Sequence, residues 1–336
     1  MVWLYFAICV ILILFFGTKL SQYGDIIAEK TGLGGVWVGL LLLAIITSLP
    51  EIITGISAVA MFGGQEGADL ALGTIFGSNM LNLFLLAILD SVCKQGPLLS
   101  AAIARGGHIQ SAILGIVLIA FAAIIIYLSA DIWPGAVGRL GVYGFILVLV
   151  YVVGSRYIFK RERQEPLLKP SRYEGTTSRK AYVAFAISAL AIIGAGTWLA
   201  IIGDEISTTY GLGASFVGTL LLAITTSLPE LVVALAALRL GSPDMAIADI
   251  LGSNMFNIGI GVFFYDLFSS EGPIFSLVSK SNIFTAGIVA LMTLVVILGL
   301  VKRSKRKTFR RTSWYSILLA ALYMGGAYVI FTAPWD

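Results

Sequence analysis

The sequence predicts a polytopic all-α membrane protein of ten transmembrane helices, arranged as two inverted five-helix repeats. Three observations predict it. First, the 336 residues are 58% hydrophobic and only 12% charged, with a mean hydropathy of +0.96, whereas a water-soluble domain carries roughly a quarter charged residues. Second, the apolar runs divide into segments near the ~20 residues that cross a bilayer, without the period-two alternation of a β-barrel. Third, a polar stretch occurs twice inside these runs. AIITSLPE at 44–51 is followed by GTIFGSNMLN at 73–82, and AITTSLPE at 223–230 is followed by ADILGSNMFN at 248–257.

The spans follow in chain order. Residues 1–20 lack a basic start and a small-residue cleavage pattern, so they are expected to form span 1 and not a signal peptide. The polar SQYGDIIAEKTGLGG after them suits a short turn or an interfacial helix. Span 2 is expected over about 36–62. Proline removes a helical hydrogen bond, so a kink or break is expected just before Pro50. Span 3 covers about 69–90, and a loop to residue 108 carries Lys94, Arg105 and His108, the last read as interfacial. Spans 4 and 5 cover about 109–128 and 140–159. Spans 6 to 10 cover about 181–202, 214–238 with Pro229 inside, 245–266, 282–301 and 313–332. The turns DIIAEKTGLGG and DEISTTYGLG match between halves, which completes an internal repeat. The expected organisation is a first repeat at 1–159, a cytoplasmic linker at 160–180 and a second repeat at 181–336.

Residues 156–180 hold eight Lys or Arg and residues 302–311 hold seven. Basic residues in short loops stay in the cytoplasm, so both loops belong there and both termini fall outside. Five spans is an odd number, so the second repeat enters the membrane in the opposite orientation. Inverted repeats with interrupted helices and a site at their interface are a transporter design. The net charge of +4 reads as a topology signal and not as a nucleic-acid surface. Cys9 and Cys93 are too few and too distant for a metal or redox motif. Phosphate-loop and GxGxxG spacings are missing, and no histidine is placed for a hydrolase triad. The chain is therefore expected to be no enzyme, to carry no cofactor and to need no obligatory protein partner.

Glu51 and Glu230 are the sharpest chemical signals. Each lies well inside an apolar span, where an ionised carboxylate costs at least ~2.5 kcal/mol unless a cation, a proton or water compensates it. Thr47 and Glu51 share a helix face with Ser48 beside them, and Thr226, Ser227 and Glu230 repeat the arrangement. Such oxygens suit hard cations. In span 3, Ser78 and Asn82 continue a polar stripe from Thr74; in span 8, Asp249, Ser253 and Asn257 do the same. Asn79 and Asn254 sit beside the stripes and fit either coordination or interhelical hydrogen bonding. Asp249 precedes Asn257 by eight residues, about 12 Å along a helix. An access position, a proton carrier, a second ion position and an acid near the aqueous end of span 8 are all open for it.

These paired TSLPE and GSNMxN motifs resemble the two α-repeats of the cation/Ca2+ exchanger superfamily, specifically prokaryotic sodium/calcium exchanger-like proteins. The resemblance covers essentially the whole chain. It implies a sodium/calcium exchanger-like fold, residence in a prokaryotic plasma membrane, and antiport of Ca2+ against Na+, or against H+ in some branches. It implies an ion site built from Glu51, Thr47, Ser48, Ser78 and Asn82 of one repeat and Glu230, Thr226, Ser227, Ser253 and Asn257 of the other. The chain departs from the family at Asn257, where aspartate is common, and at Thr74 and Asp249, where the family's GNxxGSN motif has asparagine. These departures touch ion selectivity and the counter-ion. The competing classes are a cation/proton antiporter, a gated cation channel and a membrane protein that binds an ion without moving it. The partners expected are inorganic cations and the lipid bilayer, and no nucleic acid.

Overall fold

The computed structural model describes every residue except 133–135, 138, 163–172, 174, 211–222, 303, 305, 310 and 333–336. Among the described residues are ten main helices: α1 Val2–Thr31, α2 Gly35–Phe62, α3 Gly64–Val92, α4 Arg105–Ile132 and α5 Val142–Glu162 in the first half. The second half contains α6 Ser178–Thr209, α7 Leu228–Arg239, α8 Pro243–Phe268, α9 Ser281–Val301 and α10 Trp314–Thr332. Among the described residues, nine of these segments are long and apolar enough to cross a bilayer. The span expected at 214–238 lies partly outside the described residues. It is seen as a helical turn at 223–226 and then α7. The protein is a multi-pass membrane protein.

Helices α2, α3, α7 and α8 form the centre. The α1–α6 pair lies against α2 and α7, while α9 and α10 cover α3, and α4 and α5 cover α8. A two-stranded hairpin, Ala136–Val137 with Leu140–Gly141, joins α4 to α5.

Several helices differ from the sequence expectation. The polar segments after spans 1 and 6 are not separate turns, because α1 runs to Thr31 and α6 to Thr209. The polar end of α1 is held in place: Asp25 accepts hydrogen bonds from the Tyr173 hydroxyl (2.8 Å) and the Ser242 hydroxyl (2.7 Å). Nor does α2 break before Pro50. Its helix runs from Ala44 to Phe62 through the proline, and the irregular part lies earlier, a π-helical stretch at Val38–Leu43. In the second repeat the helix does break. Ser227 leaves helical geometry and Pro229 falls in the first turn of α7, where a missing N–H costs nothing.

Glu51 and Asn82 are 31 residues apart, four more than the 27 between Glu230 and Asn257. The four extra residues lengthen the helices, and the reversal is made at Gly63 and Gly64, both at positive φ (64° and 48°). A second length difference is absorbed inside α8. Asn82 and Asp90 are eight residues apart, while Asn257 and Asp266 are nine apart. The π-helical turn at Asn257–Gly261 takes up the additional residue.

Two pairs of aspartates, one buried and one half-buried, tie the repeats together. Asp90, at the end of α3, accepts from the Leu98 and Ser313 N–H groups and from the hydroxyls of Ser313, Tyr315 and Ser316, at 2.6–3.0 Å. Asp266, at the end of α8, accepts from the Gly141 and Ile274 N–H groups and from the Tyr143 hydroxyl, each at 2.8 Å. The second pair caps helices. Asp69 accepts from the Ser279 N–H (2.7 Å) and the Asn282 amide (2.9 Å) at the start of α9. Asp244 accepts from the Ile103 and Ala104 N–H groups at the start of α4 and meets His108 Nε2 at 2.9 Å. His108, in the first turn of α4, is fully buried within the protein, where the other repeat uses Asn282.

Candidate functional site

The duplicated stretches meet where α2, α3, α7 and α8 converge. Glu51 and Glu230 are both fully buried. Each is held by the other repeat: the Ser48 hydroxyl donates to Glu230 Oε1 and the Ser227 hydroxyl donates to Glu51 Oε1, both at 3.2 Å. This reciprocity is the local signature of a two-fold relation between the repeats. The second oxygens, Glu51 Oε2 and Glu230 Oε2, are buried and have no partner. Thr47 Oγ1 lies 3.4 Å from Ser253 Oγ across the interface. Thr226 Oγ1 donates to the Ala223 carbonyl at 3.0 Å, and Ser78 lies against Glu51.

Four asparagines floor the site, and their roles divide. Asn79 Nδ2 donates to the Asn254 carbonyl (3.2 Å) and Asn254 Nδ2 to the Asn79 carbonyl (3.1 Å), so these two serve interhelical hydrogen bonding. Asn82 Nδ2 donates to Asn254 Oδ1 and Asn257 Nδ2 donates to Asn79 Oδ1, both at 3.1 Å. The amide nitrogens of Asn82 and Asn257 are thereby each engaged in the network. Their Oδ1 atoms remain buried without a partner.

This lattice gives Asn257 a reason to be an amide. Asn257→Asp removes the donor to Asn79 Oδ1 and sets two acceptors against each other, a loss of about 1–3 kcal/mol for a buried group. The variant is expected to melt at a lower temperature than the parent in thermal unfolding followed by size-exclusion chromatography. An unchanged melting temperature would show that the lattice does not fix this residue's identity.

Asp249 is not near the aqueous end of its helix in any functional sense. It is fully buried, and neither carboxylate oxygen has a hydrogen-bond partner. It lies beside Thr47 and within electrostatic reach of Glu51 and Glu230. Its counterpart Thr74 closes its hydroxyl onto the Leu70 carbonyl at 2.8 Å.

The structure thus brings the two glutamates and their serine and asparagine partners from the repeated motifs to one place, and leaves Thr74 of the α3 stripe bonded within its own helix. Tyr265 was not anticipated. It comes from α8, points its hydroxyl at the Glu51 carbonyl at 3.4 Å, and packs over Gly55, where any Cβ would collide with its ring. The donors at the centre are carboxylate, amide and hydroxyl oxygens. Among the described residues, no three His, Cys, Asp or Glu side chains form a single metal-holding group. A mixed oxygen set of this kind suits hard, weakly polarising cations.

Comparison with known proteins agrees with this architecture. The chain is 27% identical over 313 residues to the putative antiporter CaxA of Alkalimonas amylolytica, covering 91% of each chain. It is 25% identical to the sodium/calcium exchanger MaX1 of Methanosarcina acetivorans, again over 91% of each. The fold superposes on structures of the sodium-calcium exchanger NCX_Mj, with a TM-score of 0.74 at 22% identity for a crystal soaked with Na+ and Sr2+, over 99% of this chain and 100% of that one. The model of the family described as sodium/calcium exchanger protein matches residues 1–159 and 180–332. The chain belongs to the sodium/calcium exchanger protein family.

Proposed function

We propose that the protein is a secondary active antiporter that exchanges Ca2+, or a similar divalent cation, for Na+ by alternating access at this central site. The observation that carries the proposal is the two-fold set of buried oxygens without partners: Glu51 Oε2, Glu230 Oε2, Asn82 Oδ1 and Asn257 Oδ1. Two ionised glutamates cannot remain bare in so dry a place. One divalent cation neutralises both, and so do two Na+. Thr47, Ser48, Ser78, Thr226, Ser227 and Ser253 supply the neutral oxygens around them. The similarity to MaX1 and to NCX_Mj, each described as a sodium/calcium exchanger, points the same way.

Packing around the centre suits a sliding motion. The α1–α6 pair lies on the two proline-bearing helices through glycines. A Cβ on Gly196 would stand 2.7 Å from Pro50 Cγ and 3.2 Å from Pro229 Cγ, and one on Gly17 would stand 2.8 Å from Val232 Cγ1. Between α2 and α8 the approach is closed. A Cβ on Gly39 would meet the Met245 carbonyl oxygen at 2.5 Å, and Gly252 leaves no room beneath the Leu40 carbonyl. In the orientation proposed, loops 160–180 and 302–311 face the cytoplasm, so this closed approach is the cytoplasmic one. The two repeats, 1–159 and 181–336, are the units that exchange roles as access alternates. A cation/proton antiporter is the second reading, favoured by the amide at Asn257, which contributes no charge to draw in additional Na+.

Uptake of radiolabelled Ca2+ into proteoliposomes under an outward Na+ gradient, a pH gradient or no gradient tests the proposal. Uptake driven by the Na+ gradient is the expected result. Uptake driven by pH alone would replace Na+ with H+, and uptake equal under all three conditions would make the protein a channel.

A further inference from the structure

We propose that Asp25 is a positioning residue for the exchange cycle: with Ser242 it forms a latch that holds the α1–α6 pair to the core on the cytoplasmic side, and Tyr173 of the linker orients it. The proposal rests on the alternating-access function above and names residues that weight one access state over the other.

The α1–α6 pair is joined to itself at its outer end. Trp3 Nε1 donates to the Tyr210 hydroxyl at 2.9 Å, and the rings of Tyr5 and Trp198 pack at 5.7 Å. Against the core the pair rests on glycine and apolar contacts, Gly17 on Val232 and Gly196 on Pro50 and Pro229. Apolar contact is non-directional and survives when one surface shifts along another. A hydrogen bond weakens steeply once its distance and angle change. Such a bond crosses from the pair to the core, where the Ser242 hydroxyl donates to Asp25 Oδ1 at 2.7 Å.

Ser242 is held firmly in the α7–α8 turn. Gly241 before it is at positive φ (77°), and the Ser242 N–H donates to the Ala237 carbonyl at 3.0 Å. It occupies the N-cap position of α8, yet its side chain caps nothing. Serine there ordinarily accepts from a backbone N–H two or three residues on. Here the hydroxyl is turned to α1 instead, and the charged acceptor, roughly twice as strong as a neutral one, offsets the missing cap. The other carboxylate oxygen, Asp25 Oδ2, accepts from the Tyr173 hydroxyl at 2.8 Å. The Tyr173 N–H donates to Glu29 Oε1 at 3.3 Å. One carboxylate is thus shared between core and linker, and the tyrosine fixes the rotation that presents Oδ1 to Ser242.

The latch is one-sided. Asp25 and Asp204 hold matching places in the two repeats, directly after Gly24 and Gly203. Asp204 is exposed, and the turn that matches Ser242 in the first repeat is Gly63–Gly64, which carries no hydroxyl. A bond present at the cytoplasmic end and unmatched at the outer end favours the state whose cytoplasmic approach is closed. Sliding the α1–α6 pair to open that approach breaks the bond.

Distances and side-specific kinetics in the full chain test this. Spin labels are placed at Lys30→Cys and Arg239→Cys, exposed positions at the ends of α1 and α7, while the native Cys9 and Cys93 are buried. In lipid nanodiscs the parent is expected to show one dominant short distance. Ser242→Ala and Asp25→Ala each add a longer one, with the population ratio shifted roughly tenfold, as loss of a hydrogen bond to a charged group implies. Ser242→Thr keeps the hydroxyl and restores the parental distribution, and Tyr173→Phe shifts it in the same direction by less. In inverted vesicles, half-saturating Ca2+ at the cytoplasmic face falls by up to the same factor, because apparent affinity scales with the competent fraction; at the outer face it changes by less than about twofold. Parental distances in folded Ser242→Ala and Asp25→Ala would overturn the latch, and so would equal changes at both faces. Should Asp25→Ala fail to fold, Ser242→Ala, which loses a single hydroxyl, decides alone. If the parent exchanges no Ca2+ for Na+, the exchange function fails, and the distances still decide whether Asp25 latches the pair.

Discussion

Glu51→Gln and Glu230→Gln are each expected to bring gradient-driven Ca2+ uptake close to the background of empty liposomes. The two carboxylates face each other across a two-fold interface, each with one oxygen held by a serine of the other repeat and one oxygen free. Replacing either halves the charge offered to a divalent cation. It also puts an amide NH2 where a ligand oxygen belongs. The loss of one charge-assisted contact is worth about 1.5–3 kcal/mol, or roughly 10- to 100-fold in Ca2+ affinity. Because the serine links are reciprocal, the two variants should resemble each other closely. Coupled flux at the parental level in both would remove the glutamates from the transport site.

Asp90→Ala is expected to destabilise the protein more than any substitution in the centre. Asp90 is the shared acceptor of two backbone N–H groups and three hydroxyls, drawn from the α3–α4 connection and from α10 with the residue before it. Each buried donor left without an acceptor costs about 1–3 kcal/mol, so a total of at least about 3 kcal/mol follows. Asp266→Ala, with three donors to orphan, is expected to shift the melting temperature less. Thermal unfolding of both variants gives the order directly, and a larger loss for Asp266→Ala would contradict it.

The centre was legible in the sequence because its residues are duplicated at equal spacing. Thr47, Ser48 and Glu51 recur as Thr226, Ser227 and Glu230, and glutamate in an apolar span has few bland explanations. Helix length was not legible. The segment SQYGDIIAEK is polar enough to suggest an interface, yet α1 continues through it because Asp25 finds hydroxyl partners far along the chain. Asp90 and Asp266 went unnoticed because an acid near the end of a span looks ordinary. The signal was present all the same, since both aspartates stand seven residues before a proline, in ILDSVCKQGP and FYDLFSSEGP. Local spacing also underrated Asp249. Distance along its own helix separated it from Asn257, while its position relative to α2 depends on close packing at Gly39 and Gly252 that no single helix encodes.

The wide turn at Asn257–Gly261 makes the two ends of α8 independent of each other in register. Asn257 must face Asn79 in the centre and Asp266 must reach Tyr143 at the far end. The surplus residue lets both conditions hold although the spacing is one longer than in α3. Removing one residue from 258–260 would let the turn rewind as regular α-helix, with both contacts kept. The same deletion between Asn82 and Asp90 meets no slack and swings Asp90 about 100° around the helix axis, away from Tyr315. Of two segments descended from the same motif, one tolerates a change of length and the other does not.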